Sequence, residues 1–351
     1  MEQLLAVHPS SAPEPAPTNP RPRWCLAAWA AGLLVAVPTV VTGCRLLDTD
    51  APTPVPQALS FLPWLTLPAA LAALLALAAR RRLLAGWAVL VLLATAWFTL
   101  PYGPDSTSAR GPVVERLRVL ASNVEFGEAT DALVEAVRRE RPQLVYVSEC
   151  DRACVDTLTA ALGATPGTDP GTDPGTGLPH RVVVDGEGST GSVILSAYPL
   201  TARPPLPAAM GMPGATATIG GRSVELRLAH PLPPIPRQVD AWKRELGRVA
   251  ESAAAAHRAG SPMLLAGDFN ASQDHAAFRA VLDAGRLHDA ARLAGAARTP
   301  TWPRELSLPP YVQIDHVLVS DDFRVRSVRF LDLPGSDHRA VLTGLDLHAG
   351  R

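Results

Sequence analysis

Lysine is almost absent from this chain. Lys243 is the only one, and no Lys/Arg cluster or basic stripe marks the stretch from residue 112 onward. There, 25 Lys plus Arg stand against 28 Asp plus Glu. Such a balance offers no electrostatic footprint for tight binding to a nucleic-acid backbone. The preference for arginine, with abundant Ala, Gly and Pro, fits a GC-rich genome better than a binding surface. Cysteine is scarce, with four in 351 residues. Cys25 and Cys44 lie in or at the edge of an apolar stretch. Cys150 and Cys154 are spaced C-x3-C without nearby partner ligands, a poor zinc pattern. A local disulfide in an oxidising compartment and two free thiols are both compatible with them. The third absence organises the N-terminal part: Trp24–Cys44, Ala58–Ala79 and Leu83–Tyr102 contain no Asp, Glu, Lys or Arg.

Each of those stretches is close to the ~20 residues a helix needs to cross a bilayer core. Three in succession, with charge only at their ends, predict three membrane spans over residues 24–102 rather than buried core helices. Arg21 and Arg23 precede the first span, and Arg80, Arg81 and Arg82 separate the second from the third. Positive residues stay cytoplasmic. The expectation is therefore a multi-pass protein of the cell membrane, partnered with the lipid bilayer, whose part beyond the third span is extracellular. Residues 1–23, rich in proline and without apolar period, read as a disordered cytoplasmic tail. Val41-Thr42-Gly43-Cys44 also resembles a lipoprotein cleavage site, though two further spans would make an odd lipoprotein. Residues 103–115 read as a polar linker.

From residue 116 to 347, strand-like and helical patterns alternate irregularly. Strands are expected at Leu117–Ser122, Leu144–Ser148, Arg181–Val184, Ser192–Ser196, Ala215–Ile219, Val224–Ala229, Met263–Ala266, Ile314–Val319 and Ala340–Leu347. Helices are expected at Ala129–Glu140, Val155–Leu162, Ile235–Ala259 and Ala276–Ala284. The tandem Gly-Thr-Asp-Pro within residues 163–178 is a low-complexity loop. Hairpins in the middle of the pattern favour an α+β domain of mixed sheets packed on each other and covered by helices.

Polar motifs stand where apolar runs end: Ser122-Asn123-Val124, Val147-Ser148-Glu149, Gly267-Asp268-Phe269-Asn270, Ile314-Asp315-His316 and Ser336-Asp337-His338. Carboxylates, carboxamides and a histidine gathered at strand ends build a hard-metal site beside a proton-transfer pair, equipment suited to phosphate-ester hydrolysis. Asp268 and Asn270 share a face in extended chain, one able to orient water and the other to grip a phosphate oxygen. Asp337 could ligate metal and His338 donate to phosphate, with Asp315 fixing the histidine tautomer. Taken singly, each motif has a plainer reading. Asp268 and Asn270 could simply be a turn, Asn123 and Glu149 strand caps, and His230 a surface histidine before a Pro-rich loop.

Together, the order Asn123, Glu149, His230, Asp268-x-Asn270, Asp315, Asp337-His338 resembles the endonuclease/exonuclease/phosphatase superfamily over roughly residues 116–347. Gly191-Ser192-Val193-Ile194-Leu195-Ser196 with Tyr198-Pro199 is similar to a characteristic strand of that family, and Thr301-Trp302-Pro303 to the segment before its orienting aspartate. The layout of three spans followed by this domain is similar to actinobacterial membrane proteins of the same superfamily. The resemblance implies a four-layer α/β/β/α sandwich preceded by three transmembrane helices. It also implies in-line attack by water on a phosphate ester, assisted by Mg2+ (or Mn2+). By position, Glu149 would be the principal metal ligand, with Asn123 and Asp337 close by. Asp268 would be the base or water orienter and Asn270 the phosphate holder. His230 and His338 would bracket the phosphate, with Asp315 orienting His338. The family's Asp-x-x-x-Leu-Gln-Glu strand here reads Gln143-Leu144-Val145-Tyr146-Val147-Ser148-Glu149, lacking its first Asp and its Gln. The substrate could be a nucleic acid or a phospholipid or inositol-type headgroup. No obligate protein partner is indicated. The competing expectation is a catalytically inactive, membrane-anchored binding or scaffold relative.

Overall fold

The computed structural model describes residues 21–163, 177–304 and 311–350. The expected tail, apart from its last residues, and most of the Gly-Thr-Asp-Pro loop lie outside them.

An apolar helical bundle comes first: α1 (Arg21–Leu46), α2 (Val55–Ser60), a 3-10 turn at Leu62–Leu65, α3 (Thr66–Ala78) and α4 (Arg82–Phe98). Among the described residues, one helix is long and apolar enough to cross a membrane by length and composition, Trp24–Leu46, with mean hydropathy 2.0. The expectation of three full spans is corrected here. The second stretch is broken where Pro63 enters a 3-10 turn, leaving Leu62–Ala78, and the third is Arg82–Phe98; both are shorter. At 1.5 Å per residue, the 17 residues of α4 reach about 26 Å, at the short limit for a bilayer core. The bundle is packed with its small residues inward. Ala31, Ala69, Ala72, Ala76, Ala85 and Ala88 are buried, while Trp29, Leu33, Leu71, Leu74, Leu90 and Leu93 face outward.

The larger part follows in the order β1 (Val113–Asn123), α5 (Thr130–Glu140), β2 (Leu144–Ser148), α6 (Arg152–Leu162), β3 (His180–Val184), β4 (Ser192–Ser196), β5 (Leu200–Arg203), β6 (Gly214–Ile219), β7 (Arg222–Ala229), α7 (Val239–Arg258), β8 (Met263–Asp268), α8 (Ala276–Gly285), β9 (His288–Asp289), α9 (Ala290–Leu293), β10 (Asp315–Val319), β11 (Phe323–Asp332) and β12 (Arg339–His348). Two six-stranded sheets result, ordered β11-β12-β1-β2-β4-β3 and β5-β6-β7-β8-β10-β9. Each has one parallel pair at its centre, β1 with β2 and β7 with β8, joined through the crossover helices α5 and α7. One core fills the space between the sheets, with Leu117, Tyr146, Leu226, Leu264 and Leu345 among its residues. A second lies under α5 and α6 around Leu133 and Leu158. A third lies under α7 and α8, where Trp242 and Phe278 pack. Two stacked sheets with helices outside them give the expected mixed α+β sandwich.

Local chemistry sets the boundaries. Asp151 caps α6, accepting from the Cys154 amide at 2.9 Å. Prolines 231, 233, 234 and 236 delay α7 to Val239, so Ile235 stays in the loop instead of starting the helix. Gly267 is required where β8 lies against β7: its φ is +141°, and a Cβ there would sit 2.3 Å from the Ala229 carbonyl oxygen. The strands β5 and β11, at sheet edges, were not anticipated.

The bundle is bolted to the sandwich. Asp50 accepts from the amides of Ala276 and Ala277 at the start of α8, at 2.7 and 2.9 Å. Arg298 donates to the carbonyls of Phe98 and Thr99 and pairs with Asp274. Pro56 O faces His275 Nε2 at 2.9 Å, and Trp64 Nε1 donates to Tyr311 O.

Candidate active site

Strand polarity gathers the polar motifs at one rim. Parallel pairing puts Asn123 beside Ser148, which precedes Glu149, and Ala229, which precedes His230, beside Gly267. Antiparallel pairing brings Asp315 opposite Asp268. It also returns the start of β12 to the end of β1, where the Ser336 hydroxyl donates to Asn123 O at 2.8 Å. One sheet thus contributes Asn123, Glu149, Asp337 and His338. The other contributes His230, Asp268, Asn270 and Asp315. All eight expected residues are brought together.

At the centre, Asn123 Nδ2 donates to Glu149 Oε1 at 3.1 Å and to Asp268 Oδ2 at 3.2 Å. Its Oδ1 accepts from the Glu125 amide at 2.9 Å. Asn123 therefore orders two carboxylates, presenting nitrogen rather than oxygen to them. His338 Nδ1 bonds Asp315 Oδ2 at 2.8 Å, and its Nε2 lies 3.8 Å from Asp268 and 3.7 Å from Asp337. The Asp315 amide in turn donates to the Thr301 hydroxyl. Asn270 N donates to Asp268 Oδ1 at 2.8 Å, and its side chain donates to Pro231 O. The turn expected as the plainer reading of these two residues is present within the site. Phe269 between them is fully buried in the core.

Burial sets the electrostatics. Desolvation pushes the Asp268 carboxyl up, opposed by His338, and pushes Glu149 up, opposed by the Asn123 hydrogen bond. Burial also works against charge on His338, but Asp315 and Asp268 outweigh it and hold the imidazolium at about 10. His230, expected as a possible surface residue, is fully buried and driven down to about 4 by desolvation. Neither of its ring nitrogens has a hydrogen-bond partner among the described residues, and Nε2 is 3.8 Å from Glu149. Unsatisfied buried nitrogens are uncommon in folded proteins. A crowd of carboxylates raised by burial, with two orphan imidazole nitrogens beside it, fits a cation and a phosphate. Asp268, Asp315 and His338 also bring three ligand atoms within 4.8 Å of one another, a group that could hold an ion.

Further residues buttress the site, of which Glu125 stands in no quoted motif. Glu125 accepts from the Asp337 amide at 2.7 Å, and Trp302 Nε1 donates to Asp337 Oδ2 at 2.8 Å. Ser336, inside the Ser-Asp-His motif, also accepts from the His338 amide. Glu125, Phe126, Glu149 and Asn270 all adopt left-handed backbone, with φ of 45°, 57°, 57° and 47°. This conformation costs non-glycine residues roughly 1–2 kcal/mol each and often marks functional loops. His316, beside Asp315, points away and bonds Asp289 and Ala271 O. Cys150 and Cys154, directly after Glu149, form a disulfide.

Residues 120–338 match the model of the Endonuclease/Exonuclease/phosphatase family. Comparison with curated proteins gives no match. Among solved structures, the fold is similar to the human Nocturnin catalytic domain with bound sulfate anion, at TM-score 0.51 and 15% identity, covering 68% of this chain and 96% of that one. It is similar to D. rerio TDP2 complexed with single strand DNA product, at TM-score 0.50 and 14% identity, covering 66% and 99%. It is also similar to the endonuclease/exonuclease/phosphatase from Bacteroides vulgatus, at TM-score 0.50 and 15% identity, covering 66% and 99%. At these identities the likeness is one of fold.

Proposed function

Because the chain belongs to the endonuclease/exonuclease/phosphatase family, we propose that it is a membrane-anchored, metal-dependent hydrolase of phosphate esters. The observation that carries this reading is the meeting of Glu149, Asp268, His230 and the Asp315–His338 pair at one rim, from two different sheets. In this reading Glu149 holds Mg2+ or Mn2+, with Asp337 beside it and Asn123 keeping the Glu149 carboxylate aimed. A bound divalent cation supplies charge neutralisation at the phosphate oxygens. Asp268 orients the attacking water and takes its proton. Asn270 donates to a phosphate oxygen. His338, kept protonated by Asp315, donates from Nε2 to the phosphate as negative charge develops. His230 contributes its buried nitrogens on the opposite side. The cluster of Asp268, Asp315 and His338 is read as this proton-handling group, since His338 Nδ1 is already engaged by Asp315.

Membrane anchoring is supported by the inverted packing of the bundle. Lipid tails solvate outward leucines and tryptophans, and small residues let helices approach closely. We place α1 across the bilayer with the shorter α3 and α4 packed beside it, and the sandwich outside the cell. The bundle touches the sandwich at the C-terminal ends of α1 and α4, whereas Arg80–Arg82 lie at the opposite turn, beside Cys25 and Trp29. Arginines held inside would put the sandwich outside, and a disulfide suits that compartment.

The test is hydrolysis of bis(p-nitrophenyl) phosphate by the full-length protein in detergent micelles. Turnover should require Mg2+ or Mn2+, stop with EDTA and fall at least a hundredfold in His338→Ala. Turnover unaffected by EDTA, or none with either ion, overturns the reading.

A further inference from the structure

The rim opens into a cavity of about 380 Å3 whose lining combines carboxylates with apolar side chains. Glu149, Asp268, Asn270, Asp337 and His338 form its reacting end. Phe126, Met210, Ile235, Trp302 and Ile314 line it as well. Gln57 and Ser60 of α2 and Phe61 directly after it also line the cavity, with Pro233, Pro234 and Val312. None of the described lining residues is Arg or Lys, while Glu125 adds a further carboxylate. The α2 segment is fixed in place: Gln57 Nε2 donates to Pro234 O, and Pro56 O meets His275. It leads through the 3-10 turn into α3, whose Leu67 and Leu71 face outward. From residue 112 on, only three large hydrophobic side chains among the described residues are exposed, and two of them, Phe126 and Ile235, stand at this cavity.

Resting on the hydrolase reading above, we infer that the substrate is a membrane lipid carrying a phosphate ester, its headgroup phosphate at the rim and its apolar body against Phe126, Ile235 and Phe61. A nucleic acid presents further phosphates on either side of the scissile one, and proteins meet those with Lys and Arg. This cavity offers carboxylates and hydrocarbon instead, which suits one phosphate joined to an apolar body. Half-exposed Phe126 and Ile235 gain burial when an acyl or glyceryl segment covers them. Water adds across one P–O bond of the lipid. Its oxygen bonds to phosphorus as the P–O bond to the alcohol breaks, one of its protons passes to Asp268, and an equivalent proton is returned to the departing alkoxide, which leaves as the alcohol. No other co-reactant is needed.

The experiment uses the full-length protein in dodecyl maltoside micelles with Mg2+. Mixed micelles carry, one at a time, phosphatidylcholine, phosphatidylethanolamine, phosphatidylglycerol, phosphatidylinositol and phosphatidic acid. The soluble arms are the matching glycerophospho-headgroups without acyl chains, a single-stranded DNA decamer and bis(p-nitrophenyl) phosphate. At least one lipid should be cleaved with kcat/KM about a hundredfold or more above its chain-free headgroup and above the decamer. Phe126→Ser and Ile235→Ser should each lower the ratio of lipid to bis(p-nitrophenyl) phosphate turnover about tenfold, the scale of lost apolar contact in a pocket. If bis(p-nitrophenyl) phosphate is cleaved while the decamer, or a chain-free headgroup, is turned over as well as every lipid, the lipid assignment is overturned and the hydrolase reading stands. If bis(p-nitrophenyl) phosphate is not cleaved either, both are overturned.

Discussion

Removing Asp315 tests whether it acts only through His338. The two are joined by a 2.8 Å bond between buried groups, and Asp315 is the foremost of the carboxylates that keep His338 protonated. A charge-assisted hydrogen bond of this kind is worth about 1.5–3 kcal/mol, which at about 1.4 kcal/mol per decade is roughly ten- to a hundredfold in rate. Losing His338 itself removes the donor to the phosphate, on the order of 10²–10⁴ in kcat. If Asp315 works solely by aiming and charging His338, then once His338 is alanine, Asp315→Ala has nothing left to disturb. The double variant should therefore sit within about threefold of His338→Ala, and the coupling free energy should equal the whole cost of Asp315→Ala. The assay is kcat/KM on bis(p-nitrophenyl) phosphate for the four proteins, with circular dichroism confirming that each is folded. Asp315→Asn, which keeps a hydrogen-bond partner without the charge, should fall between the wild type and Asp315→Ala. Fully multiplicative losses in the double variant would refute the pairing.

Three further outcomes follow from particular contacts. Titration calorimetry of Mg2+ into Glu149→Ala should show affinity weakened at least tenfold, and wild-type affinity would exclude Glu149 as a ligand. Protease added to intact cells should cut the sandwich domain; cutting only after lysis would reverse the assigned orientation. The Arg329 guanidinium bonded to Glu140, assisted by Arg139, holds that carboxyl below its ordinary range. A carboxyl depressed in the folded state adds stability above its unfolded value near 4.3, lost as pH falls through the folded value. The melting temperature of Glu140→Gln should thus lie below wild type at pH 7, the gap should narrow as pH falls below about 4.3, and a gap that grows in that acid range would contradict the assignment.

Much of the site was legible because its residues follow uninterrupted apolar runs. Leu144–Ser148 leads to Glu149, and Met263–Ala266 leads to Asp268; buried strands of this kind announce their ends. What escaped was set by partners distant in the chain. The strand Phe323–Asp332 interleaves Arg324, Arg326 and Arg329 with apolar residues, as an edge paired only to β12 allows. Reading the alternation of that segment at period two would have found it. His230 looked like a loop residue because its burial comes from the stacking of the two sheets, not from its neighbours. The second apolar stretch looked like one span because Pro63 is tolerated near a helix start, whereas the structure uses it to turn the chain under the sandwich. No local pattern signals that Asp50 would cap a helix beginning at Ala276. Asn123 was legible as a site residue but not in its orientation, which depends on the Glu125 amide claiming its oxygen.

Half of the site hangs from each sheet, with Asn123 reaching across to Asp268 and His338 across to Asp315. In the proposed reading, neither sheet alone would contain a water-activating group together with the residue that holds its metal. A chain with one sheet formed, or with both formed but not docked, would therefore be inert, and recovery of activity would report the closing of the inter-sheet core around Leu117, Tyr146 and Leu264. Such an arrangement would keep the proposed hydrolase silent until its architecture is complete.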